Sequence, residues 1–464
     1  MPTPKFGGGA SDSVLHPIVL IAMIVAIALI IALPRRNVLI PVLLAAFLIP
    51  LGQQFYAAGV HLFVLRLIVL AGLARAVASR DPSSKYALAG GWNSIDTAFS
   101  LSMGTQAISV LILNPDAQAV VNQFGFVWDC FGGYFLLRLL IRNESDIRSA
   151  VKCFAVLVVV LAIGMAIERS TLTNVFGLLG GVTDKVEIRD GKIRARSVFQ
   201  HPLTAGAFAA TVIPLFILLW RNERAKLFAA CGIAGATLMT ILTNTSSSLM
   251  TYAAACAALT LWPLRKNMRK LRIYLVASLV ALHLAMKAPV WFLIARIDLT
   301  GSSSSYHRAE LVDQFIRHFW DWWLVGVNTT VGWGWDMWDV QNQYVSVGEA
   351  GGLVAFVFFI LITSRSFGRL GDARKRVDDK NQQWFIWFLG SALFAHLVSF
   401  FGVNYFDQSR LAWYALLAMI SAYTSSIMQS PKVLTTESEE AAETSPWSLL
   451  ELPAKASISS EFFR

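Results

Sequence analysis

The chain has 464 residues, of which 56% are hydrophobic and only 15% charged. A soluble protein of this length would form two or three domains, and the composition excludes that class, because the implied solvent is a bilayer. The formal net charge of +10 does not point to nucleic acid: the basic residues lie in short stretches between apolar blocks rather than on one face, and the positive-inside rule accounts for most of them.

Apolar blocks close to the length that crosses hydrocarbon recur along the chain, for example Val19 to Leu33, Phe154 to Ile167 and Ala207 to Trp220. Only helices or a closed barrel span lipid, and runs this continuous lack the alternation of a barrel strand. The expected fold class is all-α, a polytopic transmembrane helical bundle of about 12–13 spans with a large extracytoplasmic loop. Residues 1–13 form an N-terminal extension. The apolar run from Val14 has no basic n-region and no small-residue cleavage site, so it reads as a retained span rather than a signal peptide. Spans are expected near 14–33, 37–52, 57–74, 95–113, 119–140, 150–167, 203–220, 227–243, 247–264, 273–292, 343–363, 384–402 and 410–425.

With Arg35 and Arg36 in the cytoplasm, alternation also puts Arg75 to Lys85, Arg142 to Arg148, Arg221 to Lys226, Arg265 to Arg272 and Arg365 to Lys380 inside, where positive charge belongs. The transmembrane domain then covers 14–428, and 429–464 is a cytoplasmic tail whose Ser, Thr, Glu and Pro content reads as disorder. Cys130, Cys153, Cys231 and Cys256 fall in or beside apolar blocks without a CxxC or Cys/His pattern, and read as packing residues. Arg66 and Asp129 lie within spans, where ionisable groups face the bundle interior; they either form an ion pair or leave Arg66 lining a substrate path. Arg138, near the end of its span, is expected to snorkel.

Two outer segments are too long to be turns, 168–202 and 295–342, and long loops are where function concentrates. The first carries Lys185, Arg189, Lys192, Arg194 and Arg196 on the side where cations are disfavoured, which a site for an anionic ligand would explain. It ends Arg194-Ala-Arg196-Ser197-Val-Phe199-Gln-His201-Pro202, setting two guanidinium groups beside a helix N-terminus. That arrangement suits a phosphate or pyrophosphate, and equally suits lipid headgroups.

The second loop carries Ser305, a cap near a helix start, then His307-Arg308-Ala-Glu310 and an amphipathic helix to Phe319. After it come Trp320, Trp322, Trp323, Trp333, Trp335 and Trp338, with Asp336, Asp339, Gln341, Asn342 and Tyr344. The tryptophans suit an interfacial belt or platforms for sugar rings, with Asp336 and Asp339 on hydroxyls; the two uses are compatible.

These residues carry a resemblance. Arg194-x4-Phe199-x-His201-Pro202 before a span is followed by a Thr/Ser cluster at a later span start (Thr243, Thr245, Ser246 to Ser248). An outer loop then opens with Arg308 and closes with Asn342-x-Tyr344-x6-Gly351-Gly352-Leu353. Over roughly residues 60–425 this order resembles the O-antigen ligase and O-antigen (exopolysaccharide) polymerase superfamily of polytopic membrane proteins. The resemblance implies a bacterial inner-membrane glycosyltransferase working on the periplasmic side without metal or cofactor. Its donor would be an undecaprenyl-pyrophosphate-linked oligosaccharide and its acceptor a glycan hydroxyl, with the bilayer and polysaccharide export or chain-length proteins as further partners. Arg194 and Arg308 match the family's donor-phosphate arginines, Arg196 substitutes if the register slips, and Ser197 stands where a glycine is common.

The closing motif departs from the ligases, which place a histidine before the asparagine as proposed base. Here Gln341 precedes Asn342, and glutamine has no useful proton-accepting pKa; polymerase-like members do without that histidine. Asp339 is the nearest candidate base, followed by Asp336, Glu310 and His318. The expectation is a polysaccharide polymerase in which Arg194 and Arg308 are catalytic with Asp339, while Arg196, His201, Trp333, Trp335, Asp336, Gln341, Asn342 and Tyr344 bind substrate. A ligase is the first alternative and a flippase or transporter the second; a secretion scaffold would account for the tryptophans but not for the outer arginines.

Overall fold

The computed structural model describes residues 14–57, 60–79, 86–221, 223–296 and 304–429. The expected N-terminal extension, the tail beyond Gln429 and Gly301 to Ser303 lie outside the described residues.

Helices dominate. The first half holds α1 (Pro17–Ala32), α2 (Arg35–Leu48), α3 (Val64–Ala78), α4 (Ser94–Leu113), α5 (Ala117–Val127), α6 (Gly133–Leu140) and α7 (Glu144–Thr171). After the first long loop come α8 (Pro202–Trp220), α9 (Lys226–Leu242), α10 (Ser246–Thr260) and α11 (Met268–Ala285). The second long loop contributes α12 (Ser304–Arg317) and α13 (Phe319–Trp322), and α14 (Gln343–Lys375), α15 (Lys380–Ser399) and α16 (Ser409–Gln429) complete the bundle. Side-chain caps start many of them: Asn93 and Asp96 form a reciprocal capping box at α4, and Asn143 and Asp379 cap α7 and α15, satisfying amides that a helix leaves free at its start.

By length and apolar composition α4, α7, α8, α14 and α16 can each cross a membrane, while α1 and α9 are shorter apolar helices. The chain is thus an all-α, polytopic membrane protein. Three expected spans differ in form. Within 57–74 the helix begins only at Val64, because Gln54–Ala57 (β1) pairs antiparallel with Val60–Phe63 (β2). The 119–140 block is one continuous run in which a π-helical turn, Trp128–Gly132, joins α5 to α6. The 273–292 block breaks after α11, where the chain bends by 89° into the short turn Val290–Arg296; Pro289, which cannot continue the ladder, stands at that break.

Charge partners tie the short connections together at one end. Arg35 pairs with Asp146 at 3.3 Å, Arg142 reaches the Tyr86 carbonyl at 3.1 Å, and Arg221 donates to Asn381 at 2.9 Å. The long loops gather at the other end. Inside the bundle Arg66 makes a two-pronged pair with Asp129, both contacts at 2.8 Å. Arg138 does not snorkel: it is fully buried, bound to Asp96 at 2.8 and 3.0 Å and to the Gly91 carbonyl at 3.2 Å, while Tyr134 donates to the same carboxylate at 2.6 Å. An acid on the neighbouring helix outcompetes the distant headgroups, because inside a bilayer a paired charge costs far less than a lone one.

Candidate functional site

The site is assembled on α8 and α16, the two most enclosed spans. Their N-termini meet at Asp407, which is buried in the loop between α15 and α16. One oxygen accepts from Thr204 Oγ1 at 2.6 Å and from the Gln200 amide at 3.2 Å, the other from the Ser409 amide at 3.0 Å. A single carboxylate thus neutralises the positive ends of two helices. Burial pushes the Asp407 carboxyl up, and these donors oppose the rise.

The first long loop folds over this point. Glu187–Arg189 (β3) and Lys192–Arg194 (β4) form a hairpin turning at Asp190-Gly191, both with positive φ, which is the Asp-Gly turn signature. Register pairs Glu187 with Arg194, and the Glu187 carboxylate receives the Arg194 guanidinium in a close ion pair. Arg196 at 4.0 Å and His201 Nε2 at 3.7 Å converge on its other oxygen. The Nε atoms of Arg194 and Arg196 are buried and make no hydrogen bond. Burial pulls the Arg194 guanidinium below its ordinary value by more than Glu187 restores.

The backbone that holds these arginines is fixed from below. Glu168, buried at the end of α7, accepts the amides of Arg196 at 3.1 Å and Ser197 at 2.8 Å. Ser197 has φ +56°, a left-handed conformation that glycine adopts without steric cost, and it stands at the position where the resemblance expects glycine. His201 caps α8 through Nδ1, which accepts the Leu203 amide at 3.1 Å. Burial lowers it to about 4, so it is neutral and carries its proton on Nε2.

The serine/threonine cluster joins the same site. Leu242 accepts the Ala195 amide at 3.1 Å, and Asn244 reaches the Ile193 carbonyl at 2.7 Å, so the connection between α9 and α10 packs on β4. Arg308, on α12 and buried, lies beside Ser247: a methyl group added to Gly402 would approach Arg308 Nε to 3.5 Å and Ser247 Oγ to 2.5 Å. Both predicted arginine positions therefore abut the same Thr243 to Ser248 connection from different loops.

Asp339 is half-buried, and Gln341 Nε2 donates to its carboxylate. His307 Nε2 lies 3.1 Å from its carbonyl. Burial raises the Asp339 carboxyl, and the Gln341 donor and the Arg189 charge of the first loop oppose the rise.

Other sequence-predicted residues take structural positions. Asn342 caps α14, accepting the amides of Tyr344 at 2.9 Å and Val345 at 3.2 Å. Tyr344 donates to the Leu397 carbonyl at 3.1 Å and packs against Phe401. Trp333 is only 5% exposed and belongs to a small core with Leu311, Phe315, Trp322 and Met337, with His318 stacked on its ring at 5.5 Å. Trp335 is 91% exposed and Trp338 67%, which leaves them as the open aromatic faces beside Asp336 and Asp339. Asp336 is exposed with φ +61°. No family model and no curated protein matches this chain. Sequence reasoning passed over Glu187, Glu168 and Asp407; the Asp190-Gly191 turn was the available signal for Glu187, since it sets Glu187 opposite Arg194.

Proposed function

We propose that this protein is a polysaccharide polymerase of the bacterial inner membrane, resembling the O-antigen and exopolysaccharide polymerases. It would transfer glycan from an undecaprenyl-pyrophosphate carrier to a sugar hydroxyl on the extracytoplasmic side. The observation that carries the reading is the convergence of Arg194, Arg196 and His201 on one carboxylate, with buried guanidinium Nε donors left over. A diphosphate presents more acceptor oxygens than Glu187 does and recovers the desolvation that Arg194 bears.

In the proposed reaction the bond between the anomeric carbon and the pyrophosphate oxygen breaks as the acceptor oxygen bonds to that carbon. Arg194, Arg196 and Arg308 stabilise the negative charge developing on the departing diphosphate, where preorganised cations act most strongly. Asp339 takes the hydroxyl proton, and burial, which raises its carboxyl, strengthens it as a base. Trp335 and Trp338 offer faces for the acceptor rings. Gln341, in the place of the ligases' histidine, favours polymerisation over ligation.

Arg194→Ala or Arg308→Ala is expected to abolish long-chain polysaccharide while the protein remains in the membrane; wild-type chain length in both variants refutes the assignment. In a deletion strain, polymerase loss accumulates single lipid-linked repeat units outside. Accumulated full-length lipid-linked polymer would instead identify a ligase, and donor retained on the inner side a flippase.

A further inference from the structure

Ile316, Trp320, Trp323 and Leu324 recur at the spacing of one helical face through the end of α12 and α13, and all four are exposed. Trp320 is 76% exposed and Leu324 63%, and the Trp320 and Trp323 rings lie edge to face with centroids 6.1 Å apart. The opposite face is covered: Phe315 and Trp322 stack at 4.0 Å inside the small core that also holds Leu311. This segment therefore carries two apolar faces, of which the protein covers one.

Contacts with two spans fix how deep the open face lies. The Leu353 amide donates to the Trp323 carbonyl and the Val327 amide to the Glu349 carbonyl, both at 2.8 Å, so residues 323–327 run beside the break in α14. The same break packs on α4 at Gln106: a methyl group added to Gly351 would meet Gln106 Cγ at 2.7 Å. Asn328 then reaches the end of α4, where Asn114 Nδ2 donates to its side chain at 2.8 Å. From Gln106 to Asn114 the helix rises about 12 Å, and residues 323–327 lie within that interval, below the long-loop end of the span. At this level α4 presents Ile108 and Ile112, and α14 presents Val354 and Val357, all exposed on helices able to cross a membrane. Trp323 and Leu324 continue that apolar surface.

We infer that Ile316, Trp320, Trp323 and Leu324 form a membrane anchor, which lies in the interface of the bilayer leaflet on the long-loop side. The inference goes beyond the proposed polymerase reading and does not depend on it. Indole rings suit that boundary, with an apolar body and a polar edge, and Arg317, His318 and Asp321 flank the stripe where an interfacial helix keeps its polar groups among the headgroups. The tryptophans of the second loop then divide by depth. Trp322 and Trp333 fill the small core, Trp320 and Trp323 enter lipid, and Trp335 and Trp338 stay open beside Asp336 and Asp339. Because Arg308 stands near the start of α12, an anchor at the far end of that helix holds the arginine at the level of the headgroups.

Electron paramagnetic resonance of the full chain in nanodiscs of phosphatidylethanolamine and phosphatidylglycerol tests it. Cys231→Ser and Cys256→Ser leave only the buried Cys130 and Cys153. A spin label is then introduced through Leu324→Cys, with Val354→Cys and Trp338→Cys as the references for lipid and for water. The label at Leu324→Cys should relax faster with oxygen than with a soluble nickel complex, as at Val354→Cys, and the order should reverse at Trp338→Cys. Trp320→Ser together with Trp323→Ser should shift the Leu324→Cys label towards the water signature. Trp320→Leu with Trp323→Leu should not, because leucine partitions into hydrocarbon but offers no flat ring to a sugar. A water signature at Leu324→Cys with both tryptophans in place, an unmoved label in the serine pair, or equal shifts in the serine and leucine pairs overturns the inference. The last of these would assign the two rings to a glycan.

Discussion

His201 and Asp339 show how burial assigns protonation states around the arginines. His201 must be unprotonated on Nδ1 to accept the Leu203 amide, and burial lowers it from 6.5 to about 4. Below 6.5 the unfolded chain takes up a proton that the folded chain refuses until about 4. The stability this residue contributes is therefore complete above 6.5 and declines as the pH falls towards 4. His201→Asn keeps a cap that does not titrate. Melting curves should show the wild type losing of order 1 kcal/mol more than the variant across that window; parallel losses would mean that His201 does not carry the titration. Asp339 is shifted the other way, upwards, and its protonation costs activity rather than stability. Its carboxyl is raised by burial and drawn back by the Gln341 donor, so transfer should fall as the pH drops through a pKa above the usual carboxylate range. Gln341→Ala should move that acid limb to higher pH while sparing the plateau. Asp339→Ala should cost about 10²–10⁴-fold in rate, the range for a positioned general base. A larger loss in Gln341→Ala than in Asp339→Ala would assign Asp339 a structural role.

Helix ends and breaks position the loops. The Gly351-Gly352-Leu353 segment interrupts α14: Gly352 has φ +67°, the Val327 amide donates to the Glu349 carbonyl at 2.8 Å, and the Leu353 amide donates to the Trp323 carbonyl at 2.8 Å. The motif that closes the second loop is thus a cap at Asn342 followed by a break on which the loop backbone docks. In Gly352→Ala the new methyl group meets the Leu324 carbonyl oxygen at 2.6 Å in a left-handed conformation. The strain of that conformation, which glycine alone adopts readily, is about 1–3 kcal/mol, and the clash adds to it. Limited proteolysis should cut the variant faster between Arg317 and Asn342, with a lower Tm; an unchanged digestion pattern would show that the docking is not essential. The π-helical turn and the 89° bend after α11 are likewise places where the ladder yields.

Across the whole molecule the two ends are held by different means. Short connections at one end are stitched by arginines to acids, amides and carbonyls, whereas the first long loop is held by Asp407, Glu187 and Glu168. Two further ion pairs, Arg66 with Asp129 and Arg138 with Asp96, tie helices to one another. Arg138 and Asp96 are both fully buried, and removing one partner strands the other charge: Arg138→Met or Asp96→Asn alone should cost about 3–5 kcal/mol, and the double replacement should recover most of it. Thermal unfolding in detergent reads this directly. Additive losses would mean that the pair does not act as a unit.

The all-α polytopic class was legible in the sequence, because hydrocarbon imposes continuous apolar runs and interrupts them at charges. Arg194, Arg196 and His201 were legible as a basic helix entrance because five cations gathered in one long loop stand out in the sequence. Tertiary structure alone decided which groups face them. Glu187 meets Arg194 through hairpin register, Asp96 holds Arg138 from another helix, and Asp407 joins two helix starts that lie more than 200 residues apart in sequence. Burial likewise divided the tryptophans, enclosing Trp333 and leaving Trp335 open. Hydropathy reports how far a residue is from charge along the chain, whereas a carboxylate's role depends on which donors the packing brings within hydrogen-bond reach.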